Sequence, residues 1–172
     1  MSKKDLKNNP LLKELTDEEL KQVINVLKPK KVEAGKIIVE EGEEGDSLFL
    51  FEDGEVEVIS TLTLDYGGAM GQAEKSMVRL DGKHIGFFGE MSLLTQAPRS
   101  ATIRAITDCK LYELKKSDFE ELSKQNPEIG YKLVKKMAQV MANRLRKMNS
   151  DILKLTTALS IALSKMAKKK KK

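Results

Sequence analysis

Ten of the chain's eleven glycines fall between Gly35 and Gly89, and the eleventh is Gly130. Glycine supplies the positive-φ corners that short strands need and weakens a helix interior. The middle of the chain is therefore predicted to be β-rich and its two ends helical. From Val32 to about Leu114 the β-formers gather in short runs: Lys36–Glu40, Ser47–Phe51, Glu55–Ile59, Met77–Leu80, Thr102–Ile106 and Lys110–Leu114. Gly42, Gly45-Asp46 and Asp53-Gly54 punctuate them, and Asp53-Gly54 between two such runs predicts a hairpin. Strands this short and close imply a barrel, roll or sandwich. Residues 62–76 interrupt the rhythm and are expected to form a long, mobile connection. Their glycines do not fit G-x-G-x-x-G, so no dinucleotide site is read there.

The flanks carry helix signals. Thr16-Asp17-Glu18-Glu19 has the form of a capping box, and Leu20, Val23, Ile24 and Leu27 follow on one face until Pro29. Ser117-Asp118-Phe119-Glu120 predicts a second capping box, and Asn126-Pro127 an N-cap with proline at the first helical position. Beyond it, Val134, Ala138, Met141, Leu145, Met148, Ile152, Leu155, Leu159, Ala162 and Met166 alternate steps of four and three. That 3.5-residue period predicts a coiled-coil seam, and a parallel homodimer through residues 131–166 is the favoured way to cover it.

Charge is divided unevenly. Residues 1–126 carry a net −6 and residues 127–172 a net +11. An acidic body joined to a basic tail implies a second role for the tail, with an anionic membrane or nucleic acid as its candidate partner. A single cysteine, Cys109, precludes an internal disulfide, and with one histidine, His84, a Cys/His zinc site is excluded. Cys109 is expected to be an inert core residue and His84 a solvent-exposed turn residue. No apolar run reaches the ~20 residues of a membrane span, and no signal-peptide core opens the chain, so a cytoplasmic setting is expected.

The chemistry gathers in Phe88-Gly89-Glu90-Met91-Ser92-Leu93 and Pro98-Arg99-Ser100-Ala101-Thr102. The first stretch reads as a short helical turn entered through glycine, whose leading amides are unpaired. Arg99 follows behind a proline, and its planar fork suits two phosphate oxygens at once. These two stretches resemble the phosphate-binding cassette of the cyclic nucleotide-binding domains. Gly35–Ile38, Glu41–Leu48, Gly54–Val56 and Asp118–Pro127 extend the resemblance over residues ~10–150.

The resemblance implies an α+β fold: an antiparallel, jelly-roll-like β-roll of about eight strands flanked by N-terminal helices and a long C-terminal helix. Residues 1–30 would form the helical entry and residues 31–115 the roll, with the cassette at 88–102. Residues 116–172 would form the closing helices and basic tail. It also implies roles. Glu90 would accept from a ribose 2′-hydroxyl, and Arg99 would pair with the cyclic phosphate. The amides of Met91, Ser92 and Ala101, with the Ser100 hydroxyl, would complete the cradle that Phe88 and Gly89 line. Val78 and Leu80 would pack on sugar and base, and Asn143 and Arg144 are candidate base contacts. The ligand expected is cAMP, with cGMP as the alternative, and no cofactor, metal or catalytic residue is expected. The sequence after Asn149 has no room for a helix-turn-helix, so the expectation is a sensor that acts on an effector protein without an output domain of its own. The alternative reading is a ligand-free dimeric coiled-coil scaffold.

Overall fold

The computed structural model describes residues 6–65, 70–82, 85–95 and 97–169. Eight strands form two antiparallel sheets. They are β1 (Lys28–Val32), β2 (Ile37–Val39), β3 (Ser47–Asp53), β4 (Glu55–Asp65), β5 (Met70–Asp81), β6 (Phe87–Phe88), β7 (Thr102–Ala105) and β8 (Cys109–Lys115). One sheet runs β1-β8-β3-β6 and the other β2-β7-β4-β5. Their inner faces enclose a core of Phe49, Phe51, Val56, Leu80, Phe88, Ile103 and Leu111. Phe88 stacks on Phe49 with ring centroids 5.2 Å apart and tilts against Phe51 at 5.4 Å. Cys109 is buried in this cluster, as expected of a core residue, and burial pushes its thiol pKa up.

Several local expectations change. Asp53-Gly54 does not close a hairpin, because β3 and β4 lie in different sheets. One residue cannot fold two strands back on each other, so Gly54 (φ 102°) is a corner that carries the chain across the roll. A Cβ there would stand 2.7 Å from Cys109 Sγ and 2.8 Å from the Asp108 carbonyl, which leaves room only for glycine. The described residues of the 62–76 segment are not a loose connection either. Residues 62–65 and 70–76 extend β4 and β5 into one long hairpin, paired from Glu55↔Asp81 to Asp65↔Met70. Alternation in Thr61-Leu62-Thr63-Leu64 suits a strand, and the ladder continues once register is set. Residues 66–69 and His84 lie outside the described residues. No strand is expected at β1, since Pro29 reads as a helix stop. It is an edge strand, where a missing N–H is tolerated.

Helix α1 (Asp17–Val26) opens with the predicted capping box: Thr16 Oγ1 accepts from the Glu19 amide and Glu19 Oε2 from the Thr16 amide. Helix α2 (Glu90–Thr95) packs on β3, and α3 (Lys116–Gln125) follows β8 without a loop. The second expected capping box is absent. The helix starts at Lys116, whose amide donates to the Asp46 carbonyl at 2.6 Å, so Ser117 already sits inside the first turn. Helix α4 (Pro127–Lys169) starts at the predicted proline. Gly130 has a packing reason, since a Cβ there would lie 2.7 Å from Ser123 Oγ.

The chain divides into two compact units, Met1–Val134 and Lys135–Lys172. In the first, β3 is buried on both faces, so a second apolar layer covers the sheet from outside. The residues ahead of α1 join that layer through Asn9. Its Nδ2 donates to the Phe51 and Gly86 carbonyls at 3.1 and 2.7 Å, and its Oδ1 accepts from the Leu11 amide. Asn9→Ala removes three buried hydrogen bonds and leaves the Leu11 amide without this acceptor, while the Gly86 carbonyl keeps the Phe51 amide, and a loss of about 2–3 kcal/mol is expected by urea denaturation.

Glu19 also ties α1 to the first turns of α4, accepting from Lys132 Nζ at 2.8 and 3.0 Å. That bond holds the Glu19 carboxyl below its ordinary pKa, with the capping bonds adding to it and burial opposing. A depressed carboxylate stabilises the fold above its unfolded pKa, and the contribution is lost as pH falls through the folded value. Melting temperatures of the wild type should therefore drop more steeply below about pH 4.3 than those of Glu19→Gln.

Candidate functional site

The cassette is built around one buried cation. Arg99 is 7% exposed. Its backbone is fastened to the loop between β2 and β3: the amide donates to the Glu43 carbonyl, and the carbonyl accepts from the Gly42 amide, both at 2.9 Å. The guanidinium reaches the start of β3, where Nη1 donates to the Ser47 carbonyl at 2.7 Å and Nη2 to Ser47 Oγ at 3.0 Å. Its carbon lies 5.7 Å from the Phe49 ring centroid, a cation–π contact.

Two glycines make room for it. A Cβ on Gly45 would fall 2.1 Å from Arg99 Nε, and one on Gly89 2.9 Å from Nη1. Gly89 also needs its positive φ of 85° to turn β6 into α2. Gly45 has no such backbone demand and is glycine for space alone.

Buried Nε has no hydrogen-bond partner among the described residues. Burial pulls the Arg99 pKa down, and the carboxylates of Glu43, Asp46 and Glu113 oppose that pull. Arginine stays charged under such a shift. A buried cation with an unused donor is costly unless an anion completes it.

On the other side of Gly89, α2 begins with Glu90, 3% exposed, followed by buried Ser92. Phe88, Gly89, Glu90, Met91 and Ser92 thus form one continuous turn beside Arg99. The Ser100 hydroxyl is exposed and donates to Met91 Sδ at 3.6 Å, and Ala101 is half-buried. The remaining predicted residues of the first unit divide between core and surface. Phe88 and Leu80 are core members, whereas Val78 on β5 is 40% exposed. Asn143 and Arg144 lie on α4 in the second unit, where Asn143 Oδ1 accepts from Arg146 at 2.7 Å. Sequence reasoning did not single out Gly45 and Ser47. Gly45-Asp46 reads as a turn and Ser47 as the start of a strand, and both enter the family resemblance within Glu41–Leu48 without a site role.

The profile described as "Cyclic nucleotide-binding domain" matches residues 29–126, more than half the chain. The chain belongs to the cyclic nucleotide-binding domain family. Among its relatives, a cyclic nucleotide-gated potassium channel of Rhizobium etli is 36% identical over 121 residues, 70% of this chain and 30% of the channel. A cAMP-dependent protein kinase regulatory subunit of Colletotrichum orbiculare is 36% identical over 120 residues, 68% of this chain and 27% of that one. The chain thus spans less than a third of either relative. A cyclic nucleotide-binding domain from Methylobacillus flagellatus has the same fold, with a TM-score of 0.72 at 23% identity, over 87% of this chain and 79% of that one. The jelly-roll architecture and long final helix of this cyclic nucleotide-binding domain agree with that neighbour. Among the described residues no helix is long and apolar enough to cross a membrane, and no group of three or more His, Cys, Asp or Glu can hold a metal ion.

Proposed function

We propose that the chain binds a 3′,5′-cyclic nucleotide at the Arg99 cradle, cAMP in preference to cGMP, and acts as a regulatory sensor rather than an enzyme. One observation carries this reading: a nine-tenths-buried guanidinium with an unused Nε–H, held by Ser47 and walled by Gly45 and Gly89. A cyclic phosphodiester bears a single negative charge, which one arginine balances. Glu90 next to the cradle supplies the acceptor that distinguishes ribose from deoxyribose, and the amides of Met91, Ser92 and Ala101 with the Ser100 hydroxyl close round the phosphate. Val78 faces outward and meets sugar or base, while Leu80 and Phe88 support the floor from the core. The preference for cAMP rests on the matched regulatory subunit, which is named for cAMP dependence.

The output is movement of α4. Its first turns are tied to α1 by Glu19–Lys132 and to α3 by the Gly130–Ser123 contact, so a shift there is carried by discrete contacts. Ligand shifts that equilibrium only by its differential affinity for the two poses. The α4 apolar stripe includes Leu145, Met148, Ile152 and Leu155, each more than half exposed in the single chain, and a second copy through residues 131–166 covers it. The signal then passes to an effector protein, and the free thiol of Cys109 accords with the cytoplasm. Titration calorimetry with cAMP and cGMP tests the reading. Saturable heat with one site per chain is expected, tighter for cAMP, and silence with both at millimolar ligand, with no thermal stabilisation, removes it.

A further inference from the structure

Beyond Asp151 the second unit changes character. At 3.6 residues per turn, the charged residues Lys154 and Lys165 fall with Asp151 in one narrow sector of α4. The opposite face, roughly 200° wide from Leu155 round to Thr157, carries no charge. A two-stranded seam occupies roughly half of that width. The face holds the seam residues Ile152, Leu155, Leu159 and Met166, together with Leu153 and Leu163 outside the seam, all more than half exposed.

Its remaining members are hydroxyls with their donors already used. Thr156, Thr157, Ser160 and Ser164 donate to the carbonyls of Ile152, Leu153, Thr156 and Ile161 at 2.8–3.0 Å. Such hydroxyls lose less on leaving water than free ones do. No carboxylate follows Asp151, whereas Lys165 and Lys168–Lys172 do.

The geometry points to an anionic phospholipid surface as the occupant of this face, with residues 152–166 lying in the interface and the positive charge of the lysine-rich sequence that follows drawing the helix to the headgroups. A wide uncharged face, a basic remainder and no span-length apolar run are the physical requirements of a helix that rests on a bilayer without crossing it. Nucleic acid fits the lysines but has no use for the exposed leucines. The lipid face contains the distal seam, so on a membrane the contact with a second copy rests on residues 134–148.

The test is flotation of the full chain with phosphatidylcholine vesicles, with and without about 30% phosphatidylserine. Binding is expected to be at least tenfold tighter with phosphatidylserine and to be released by high salt. Leu153→Asp with Ser160→Asp, both outside the seam, should weaken it at least tenfold while helix content and oligomeric state are unchanged. Replacing Lys168–Lys172 by glutamine should do the same without touching the apolar face. Equal binding to both vesicles, binding to neither at low salt, unaltered binding of either variant, or displacement by a mixed-sequence DNA or RNA duplex would each overturn the inference. No cyclic nucleotide enters the assay, so its result is independent of the calorimetric one.

Discussion

Arg99→Ala is expected to lower the affinity for cAMP at least tenfold in titration calorimetry, while the roll stays folded. Truncating one member of a buried, hydrogen-bonded charge pair costs about 2–5 kcal/mol of binding, and in the proposed complex the phosphate would lose both its countercharge and its fork of donors. The loop itself does not depend on the side chain, since the Arg99 amide and carbonyl remain bonded to Glu43 and Gly42. The ligand-free melting temperature should therefore move little, and the rise on adding cAMP should disappear. Arg99→Lys should recover only part of the affinity, because one ammonium cannot serve the Ser47 carbonyl, Ser47 Oγ and a phosphate in the planar geometry of the guanidinium. An Arg99→Ala protein that binds cAMP as tightly as the wild type would show that the anion sits elsewhere.

Gly45→Ala should be nearly as damaging, although it removes nothing that touches a ligand. Its methyl would overlap Nε and Cζ of Arg99, at 2.1 and 2.5 Å, so the guanidinium must leave Ser47. Overpacking of this kind costs about 1–3 kcal/mol in the free protein. The affinity for cAMP should fall at least tenfold as well, because the fork no longer faces the phosphate. The two substitutions act through one group and should not add. In the Arg99→Ala background the methyl meets an emptied space, so Gly45→Ala should cost almost nothing further. Additive losses in that double-mutant cycle would place the effect of Gly45 in its loop rather than in Arg99.

The contrast between Gly45 and Gly89 shows how far a sequence reading reaches. Gly89 lies inside a recognisable run, Phe88-Gly89-Glu90, and its need for a positive φ is a local backbone property. Gly45 is a glycine because a side chain 54 positions later in the chain comes to rest against it. No local rule announces that. Ser47 is similar: it looks like the first residue of a strand, and only the return of Arg99 to β3 makes it the acceptor for two guanidinium nitrogens. Asp53-Gly54 misled for the same reason. The dipeptide specifies a tight turn, but which strands flank that turn in a sheet depends on partners more than fifty residues away, at Cys109 to Lys115. The 62–76 segment reads as a connection because it interrupts the series of short strands, and cross-strand pairing makes its described residues part of one hairpin.

Properties with short range were readable along the chain: the Thr16 capping box, the Pro127 helix start, the β-rich middle, the division of charge, and the glycine-entered turn at Gly89-Glu90. Each depends on neighbours a few residues apart, where geometry is set by covalent connection and helical or strand period. Properties that depend on the closure of the roll were not: the sheet to which each strand belongs, the Asn9 fastening, the Ser47 and Gly45 seat of Arg99, and the burial that leaves Nε without a hydrogen-bond partner among the described residues. Those contacts join residues tens of positions apart, and their identity follows from which surfaces meet when two sheets bury a common core, a condition that no window of sequence contains.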